Sequence, residues 1–302
     1  MLPLVSFVRT LLQIPVQSLS EGERKLAQIL KISANELPTM RLGGRYYYRP
    51  FAVPKQDGRG RIYAQRHILA PSPALKELQR RLLRRYLAYL PVHPAAMAFH
   101  RGASIAVNAR RHAGSAVIAT TDLADFFEST SARRVREFFI RQGWRAEALA
   151  ALMRLCVYNN GLPQGAPTSP CLSNLVNADL DAALDALARR AGAVYTRYGD
   201  DLTFSWKIND NVPSFFQAAV RRELLAAGYQ IQPRKGWQVW RAADEPEIAG
   251  VVLGHDGSIH SPARVRREVQ RLRWRLWWKR SDKAAQARLN GYNGFLHMLN
   301  PK

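Results

Sequence analysis

The first half of the chain alternates between helical and strand-like spacing of apolar residues. Residues 20–40 have helical spacing, and the aromatic, β-prone run 45–55 leads into a turn signal at 56–60. Ser72 and Pro73 are typical of a helix start, and leucines follow them at helical spacing, interleaved with arginines. The pattern predicts a β-hairpin followed by an amphipathic helix with much positive charge.

The middle of the chain predicts a mixed sheet. Residues 116–122 indicate a strand that ends on a carboxylate, and Ser131 is typical of the start of a helix. A Gly- and Pro-rich loop at 159–167 precedes a long helix from Ser169 to about Arg190. A hairpin with Gly199-Asp200-Asp201 at its tip follows, then a helix over about 212–227 and a strand around Gln230. This order favours an α+β fold over a doubly wound one.

The end of the chain predicts a basic aromatic helix. Residues 264–280 carry eight positive charges, one negative charge and three tryptophans. Arginines neutralise phosphates and tryptophan rings stack on unpaired bases, so we expect this helix to bind RNA. One or two of the three tryptophans are expected in the core, since tryptophan at helical spacing is usually buried.

Composition limits the function classes. The 302 residues include 45 Lys and Arg against 23 Asp and Glu, a net charge of +22, with 47% hydrophobic residues. Global disorder is excluded, and a polyanion is the expected partner. No window is apolar enough to span a membrane, and residues 1–12 indicate an amphipathic helix rather than a secretion signal. Cys156 and Cys171 are expected to be reduced thiols in a cytoplasmic protein.

Three aspartates carry the candidate chemistry. Asp122 ends a predicted strand, and Asp200 and Asp201 share a hairpin tip. Adjacent carboxylates repel unless a cation lies between them, and carboxylate oxygens suit Mg²⁺. Two such ions can activate a hydroxyl and stabilise a leaving phosphate oxygen, which favours phosphoryl transfer. An Asp-Asp pair by itself is more often a solvated turn, so the neighbouring motifs decide.

Those motifs resemble the successive palm motifs of reverse transcriptases. They are Asp122-Leu-Ala-Asp-Phe-Phe-Glu-Ser, the loop 161–170 containing Leu-Pro-Gln-Gly, and Tyr195-Thr-Arg-Tyr-Gly-Asp-Asp, in this order. Residues 70–79 and the Asn-Ala-x-x-His element at 108–112 extend the similarity to bacterial retron reverse transcriptases, over about residues 45–300. The resemblance implies a right-hand polymerase fold: N-terminal helices and fingers at 1–115, palm at 116–240 and a short basic helical thumb at 241–302.

The resemblance also implies roles for single residues. Asp122 and Asp200 are similar to the principal metal ligands of the family, for two Mg²⁺ ions, with Asp201 as the third carboxylate. Phe127 lies where the family places an aromatic gate that excludes the 2′-hydroxyl and so selects dNTP substrates, whereas Phe126 is expected in the core. Further expected nucleotide contacts are Lys55, Arg61, Gln164, Gly165 and Lys235, with Arg234 competing for the role of Lys235. Expected RNA contacts, from the resemblance and from the basic helices, are Arg80, Arg84, Asn108, His112, Arg271, Arg273, Trp274, Arg275, Trp277 and Trp278.

The implied activity is RNA-directed DNA synthesis: a structured noncoding RNA is template and primer, and its product is single-stranded cDNA. The family also implies a role in antiphage defence and admits an effector protein as partner. Two departures stand out: Gly199 replaces the usual Ala, and Ile248-Ala-Gly250 replaces the usual Val-Thr-Gly. A stand-alone reverse transcriptase related to group II intron enzymes and a non-catalytic RNA-binding scaffold remain alternatives, while Phe127 disfavours a viral-type RNA polymerase.

Overall fold

The computed structural model describes residues 20–33, 36, 47–56, 62–208 and 211–300. In chain order its helices and strands are α1 (Glu21–Leu30), β1 (Tyr48–Gln56), β2 (Ile62–Pro71), α2 (Pro73–Arg85), α3 (Ile105–Arg110), β3 (Val117–Asp122), α4 (Phe126–Ser129), α5 (Ala132–Arg141), α6 (Ala146–Cys156) and α7 (Ser169–Val176). They continue with α8 (Ala178–Arg190), β4 (Ala193–Tyr198), β5 (Asp201–Trp206), α9 (Phe216–Ala226), β6 (Trp237–Arg241), β7 (Glu247–Ile248), β8 (Val251–Leu253), β9 (Ile259–His260), α10 (Ala263–Trp278) and α11 (Lys283–Leu299). This mixture of helix and sheet confirms the α+β expectation.

The described residues form two compact units. The first comes from 1–91 and 127–177, and the second from 92–126 and 178–302. In the first unit, β1 and β2 form the predicted hairpin, whose turn lies outside the described residues, as does the helix predicted for residues 1–12.

Cys156 and Cys171 are buried free thiols, as predicted. No helix within the described part of the chain is long and apolar enough to cross a membrane.

Serine side chains begin the predicted helices. The Ser72 hydroxyl accepts a hydrogen bond from the Leu75 N–H, and Ser131 caps α5 in the same way. Helix α1 is shorter than predicted, because Lys31 adopts a left-handed conformation and its N–H bonds to the last carbonyls of the helix. The capping residues therefore set where the amphipathic segments start and stop.

The long helix predicted from Ser169 is interrupted at Asn177. The buried Asn177 side chain donates to the Ser173 carbonyl at 2.8 Å and accepts from Arg134 Nη2 at 2.8 Å. A short amide that bonds to the nearby backbone competes with helical hydrogen bonding. The apolar periodicity continues through this position, and for that reason the pattern alone predicted one helix.

A four-stranded antiparallel sheet organises the second unit, with strand order β4-β5-β3-β6. The hairpin β4–β5 is as predicted, but the strand expected around Gln230 is wrong. That segment makes only an isolated bridge from Ile231 to Leu123, and the fourth strand begins at Trp237. A turn that ends at Gly236 separates Gln230 from the fourth strand. Thr121 Oγ1 donates to the Gly236 carbonyl, next to the start of the β3–β6 ladder.

The end of the second unit is a helical pair. Helix α10 buries Val269, Leu272 and Leu276 against Ala285 and Leu289 of α11, which the sequence analysis did not predict. The expectation that some tryptophans of α10 are core is wrong: Trp274, Trp277 and Trp278 are each about two-thirds exposed. They lie off the apolar stripe and contact one another, with ring centroids 6.1 and 4.6 Å apart.

Asn108 and His112 are both fully buried, which corrects the expectation that they contact RNA directly. His112 bridges two strands through hydrogen bonds, at 2.8 Å to the Ser205 hydroxyl and 2.6 Å to the Thr196 hydroxyl. Burial, together with the charge of Arg111, lowers the pKa of His112 to about 3. His112 is therefore a neutral structural residue that ties the turn after α3 to the hairpin β4–β5.

Replacing His112 by Leu is expected to destabilise the protein, because two buried hydroxyls lose their partner at about 1–3 kcal/mol each. A histidine that is neutral in the fold contributes stability above its unfolded pKa of about 6.5, and this contribution is lost as pH falls towards 3. The variant should therefore lose part of the acid sensitivity of the wild type. Urea unfolding at pH 7.5 and pH 5 measures both effects, and equal pH dependence in the two proteins would contradict the assignment.

Candidate active site

Asp122 and Asp201 face each other at the ends of neighbouring strands. Asp122 ends β3 and Asp201 begins β5, and the antiparallel register pairs these two residues directly. Residues paired in this way present their side chains on the same face of the sheet. Burial, together with the hydrogen bond and the charge of Asp122, raises the pKa of Asp201 to about 8. The pair therefore holds a proton at neutral pH in the absence of a bound cation.

Asp200 occupies the exposed turn between β4 and β5. Its carbonyl accepts a hydrogen bond from the Leu123 N–H at 3.0 Å, which ties the hairpin tip to the end of β3. Gly199, before it, has φ +68°, and an added Cβ there would lie 3.3 Å from the Phe99 ring. The turn is left-handed at Gly199 and closely packed against Phe99, and both features favour glycine over Ala at this position.

Lys235 is the cation of this cluster. Its Nζ lies 2.5 Å from Asp122 Oδ1. Partial burial acts to lower the pKa of Lys235, but the hydrogen bond and charge of Asp122, with the charges of Asp201 and Asp200, raise it overall. The Asp122 carbonyl accepts from the Gln232 N–H at 2.8 Å, so the segment that leads to Lys235 is fixed to β3.

The cluster opens into a polar cavity of about 390 Å³. Its walls include an ion pair between Glu247 and Arg264, and the triplet Ile248-Ala-Gly250. Sequence reasoning missed the Glu247–Arg264 pair, because two residues 17 positions apart carry no local signal. This triplet, which replaces the usual Val-Thr-Gly, thus lies beside the aspartates. Within it, Ala249 has φ +46° and Gly250 has φ +88°.

The donor set suits a divalent cation. Carboxylate oxygens are ligands that Mg²⁺ prefers, and two carboxylates that face each other repel unless a proton or a cation offsets their charge. Within the described residues, no three metal-ligating side chains form a tight cluster. Asp122 and Asp201 are hydrogen-bonded to each other. That Asp200 is a principal metal ligand and Asp201 only the third carboxylate stays a prediction.

Other predicted nucleotide contacts lie in the first unit. The Gln164 carbonyl accepts from the Leu69 N–H at 2.7 Å, and the Phe127 carbonyl accepts from the Leu162 N–H at 3.0 Å. Gly165 has φ +127°, and an added Cβ would lie 2.6 Å from the Leu69 carbonyl oxygen, so close packing on β2 already requires glycine there. Phe126 is core, as expected, and stacks on Tyr229.

Two further predicted nucleotide contacts lie outside what the structure describes. Arg61 falls between described segments, and of Lys55 only the backbone, in β1, is described. Their roles at the triphosphate stay predictions.

The four arginines of α2 divide into two pairs. Arg81 Nη1 donates to the Leu30 carbonyl and Arg85 Nη1 donates to the Gln28 carbonyl, so both cap the end of α1. Arg80 and Arg84 are exposed. The two arginines predicted to contact RNA are therefore both exposed, whereas the guanidinium groups of Arg81 and Arg85 are bonded to the end of α1.

On α10, two of the predicted RNA contacts already have acidic partners. Arg271 pairs with Glu268 and Arg275 pairs with Asp282. Both arginines remain exposed, and Arg273 is exposed between them. This face therefore combines three guanidinium groups with the three exposed tryptophans.

Comparison with known proteins identifies the family. The family model described as reverse transcriptase (RNA-dependent DNA polymerase) matches residues 53–253. The chain is 35% identical to the retron Mx162 reverse transcriptase and 36% identical to the retron Mx65 reverse transcriptase, both of Myxococcus xanthus, over 84% and 85% of its own length and 58% and 62% of theirs. It is 37% identical to the retron Ec86 reverse transcriptase of Escherichia coli, over 60% of this chain and 55% of that protein.

The chain thus spans about three fifths of the length of these curated relatives. The resemblance drawn from the palm motifs is confirmed. The chain belongs to the reverse transcriptase (RNA-dependent DNA polymerase) family.

Proposed function

We propose that the protein is an RNA-directed DNA polymerase of the retron type. The observation that carries this proposal is the pairing of Asp122 with Asp201 across β3 and β5, beside Lys235, inside the matched region. An intact carboxylate set disfavours a non-catalytic scaffold. The relatives named retron reverse transcriptases favour the retron type over an enzyme related to group II introns.

Reverse transcriptases use divalent metal ions, and we assign two Mg²⁺ ions to this site. Asp122, Asp200 and Asp201 would hold them. When bound, such ions lower the pKa of an attacking hydroxyl and offset the charge on a leaving phosphate oxygen. Lys235 contributes a positive charge near the aspartates, which favours the binding of a triphosphate.

The family implies palm and fingers, and we propose the finer assignments as well. Residues 1–115 would form the N-terminal helices and fingers, and residues 116–240 the palm. Residues 241–302, which include the helical pair α10–α11, would form a short thumb. Phe127 would be the sugar gate, and Gln164, Gly165, Lys55 and Arg61 would contact the incoming dNTP. The template and primer would be a structured noncoding RNA, copied into single-stranded cDNA in the cytoplasm, with a role in antiphage defence and an effector protein as partner.

Changing Asp200 and Asp201 together to Asn is expected to reduce DNA synthesis roughly a thousandfold or more, because metal stabilisation of the transition state is worth several kcal/mol. RNA affinity should hardly change, since the predicted RNA contacts are on other elements. Extension of an RNA-templated primer by dNTPs measures the first effect and filter binding the second. Asp185→Asn, at a surface ion pair on α8, is the matched control. Normal extension by the folded double variant would overturn the active site.

Magnesium affinity is expected to rise with pH up to about 8 and then level off. Asp201 holds a proton below its pKa of about 8, so cation binding must displace that proton, and log Kd should fall by about one per pH unit. Calorimetry at pH 6, 7, 8 and 9 in two buffers of different ionisation enthalpy measures affinity and proton release. Asp201→Asn should bind more weakly and without this dependence. A wild-type Kd that is constant from pH 6 to 9 would contradict the shared proton.

The exposed face of α10 is expected to bind RNA through two separable contributions. Changing Arg271, Arg273 and Arg275 to Gln should reduce the slope of log K against log salt by up to about 2, at about 0.7 per phosphate contact. Changing the three tryptophans to Leu should lower affinity by about 1–3 kcal/mol per stacked base without changing that slope. Melting temperatures should stay close to wild type, because all six side chains are exposed. An unchanged slope in the arginine variant would show that RNA binds elsewhere.

A further inference from the structure

A buried ion pair lies directly beneath the turn that carries Asp200. Arg197 of β4 and Asp181 of α8 are both completely buried. Arg197 Nε donates to Asp181 Oδ1 at 2.8 Å and Nη2 donates to Oδ2 at 2.6 Å, so the two groups bind in a bidentate manner. The Tyr195 hydroxyl also donates to Asp181 Oδ1, at 2.9 Å.

Stability alone is a weak reason for this arrangement. Removing two charges from water costs several kcal/mol per ion, and well-packed apolar residues of similar volume are often as stable or more so. The neighbourhood of the pair is suited to apolar packing, since the guanidinium group lies 5.5 Å from the centre of the Phe126 ring. An apolar pair could fill this space, but it could not donate a hydrogen bond to the turn.

The remaining nitrogen of Arg197 makes such a hydrogen bond. Nη1 donates to the carbonyl of Gly199 at 3.2 Å. That carbonyl shares a rigid peptide plane with the N–H of Asp200, so the bond limits how the plane can rotate. The next plane, between Asp200 and Asp201, is held from the other side by the Leu123 N–H at 3.0 Å. Both peptide planes that flank Asp200 are therefore held by hydrogen bonds.

The backbone of Arg197 is itself fixed. Its N–H donates to the Ala95 carbonyl at 2.8 Å, and its own carbonyl accepts from the Met97 N–H at 2.7 Å. The side chain thus extends from an anchored strand position to a carboxylate on α8 and to the turn. Arg197 therefore connects α8, through hydrogen bonds, to the turn that carries Asp200.

We propose that Arg197 is a positioning residue that, held by Asp181, fixes the Gly199–Asp200 peptide and so orients Asp200 beside the Asp122–Asp201 pair. The inference rests on the proposed polymerase function and adds a role that acts through the turn rather than on substrate. The bidentate contact fixes the guanidinium plane, and only in that plane does Nη1 meet the Gly199 carbonyl. A lysine at this position keeps the charge but cannot bond to both partners in this geometry.

The test compares Arg197→Lys with Leu184→Ala in the full chain. Leu184 is fully buried on the same helix as Asp181 and carries no hydrogen-bonding side chain, so its truncation, at about 2–5 kcal/mol, controls for lost stability. Three quantities are measured: amide hydrogen exchange of residues 199–201, the Kd for Mn²⁺ without nucleic acid, and kcat and KM for dNTP incorporation on an RNA template.

Arg197→Lys should speed exchange at the turn and weaken Mn²⁺ binding at least about tenfold. It should lower kcat by about tenfold to a hundredfold, the size expected for a small misplacement of a reacting group, with KM for dNTP within about twofold. Leu184→Ala should keep wild-type values for all of these despite its lower melting temperature. Tyr195→Phe, which removes one hydrogen bond to Asp181 and keeps the charges, should change the same quantities in the same direction to a smaller extent, and it serves if Arg197→Lys does not fold.

Wild-type exchange and Mn²⁺ binding in the folded Arg197→Lys variant, or in Tyr195→Phe if it alone folds, would overturn the positioning role. Equal changes in Leu184→Ala would overturn it too, because they would trace the effect to general stability. An inactive wild type would count against the polymerase function, and the exchange and Mn²⁺ measurements would still decide the role of Arg197.

Discussion

Two carboxylates that face each other across paired strands impose the central constraint on this protein. The register of β3 and β5 places Asp122 opposite Asp201, and like charges so close cannot both be ionised without a cation between or beside them. A proton held by Asp201, whose pKa is raised, and the ammonium group of Lys235, 2.5 Å from Asp122, offset this repulsion. Both are groups that a divalent cation can replace, and this is the physical basis of the proposed chemistry.

The surrounding structure keeps that pair in register. The central strand β3 is hydrogen-bonded on both sides, to β5 and β6. The carbonyl of its last residue, Asp122, also accepts a hydrogen bond from the Gln232 N–H. Beneath the hairpin, Arg197 and Asp181 are buried at a cost in desolvation that is better explained by the geometry they impose than by stability. His112 joins β4 to β5 through the hydroxyls of Thr196 and Ser205. Polar groups in this core therefore hold a turn in a defined conformation.

The sequence predicted features that depend on neighbours in the chain. The hairpin around Asp200 and the serine caps at Ser72 and Ser131 follow from local turn and cap chemistry, and helix α10 follows from the residue pattern of 264–280; all are found. The strand after Gln230 and the break at Asn177 were missed, because each depends on a contact with a distant segment. The exposure of the α10 tryptophans was missed for the same reason, since only the unforeseen partner α11 shows which face of α10 is buried.

The structure brings the predicted Asp122, Asp201 and Lys235 together, but the sequence could not separate exposed cations from structural ones. Arg81 and Arg85 cap a helix, whereas Arg80 and Arg84 on the same helix face solvent. Asn108 and His112 were expected at the RNA and are core. Gly165 was expected to contact the incoming nucleotide, yet the Leu69 carbonyl already requires glycine at that position. Motif order identified the family, whereas burial and backbone contacts assign individual roles.

The most direct test of the central claim is anomalous diffraction from crystals of the full chain soaked in Mn²⁺. We expect a peak coordinated by carboxylate oxygens of Asp122 and Asp201, with the Lys235 ammonium group displaced from Asp122. A peak that is confined to other residues, with Lys235 still bound to Asp122, would contradict it.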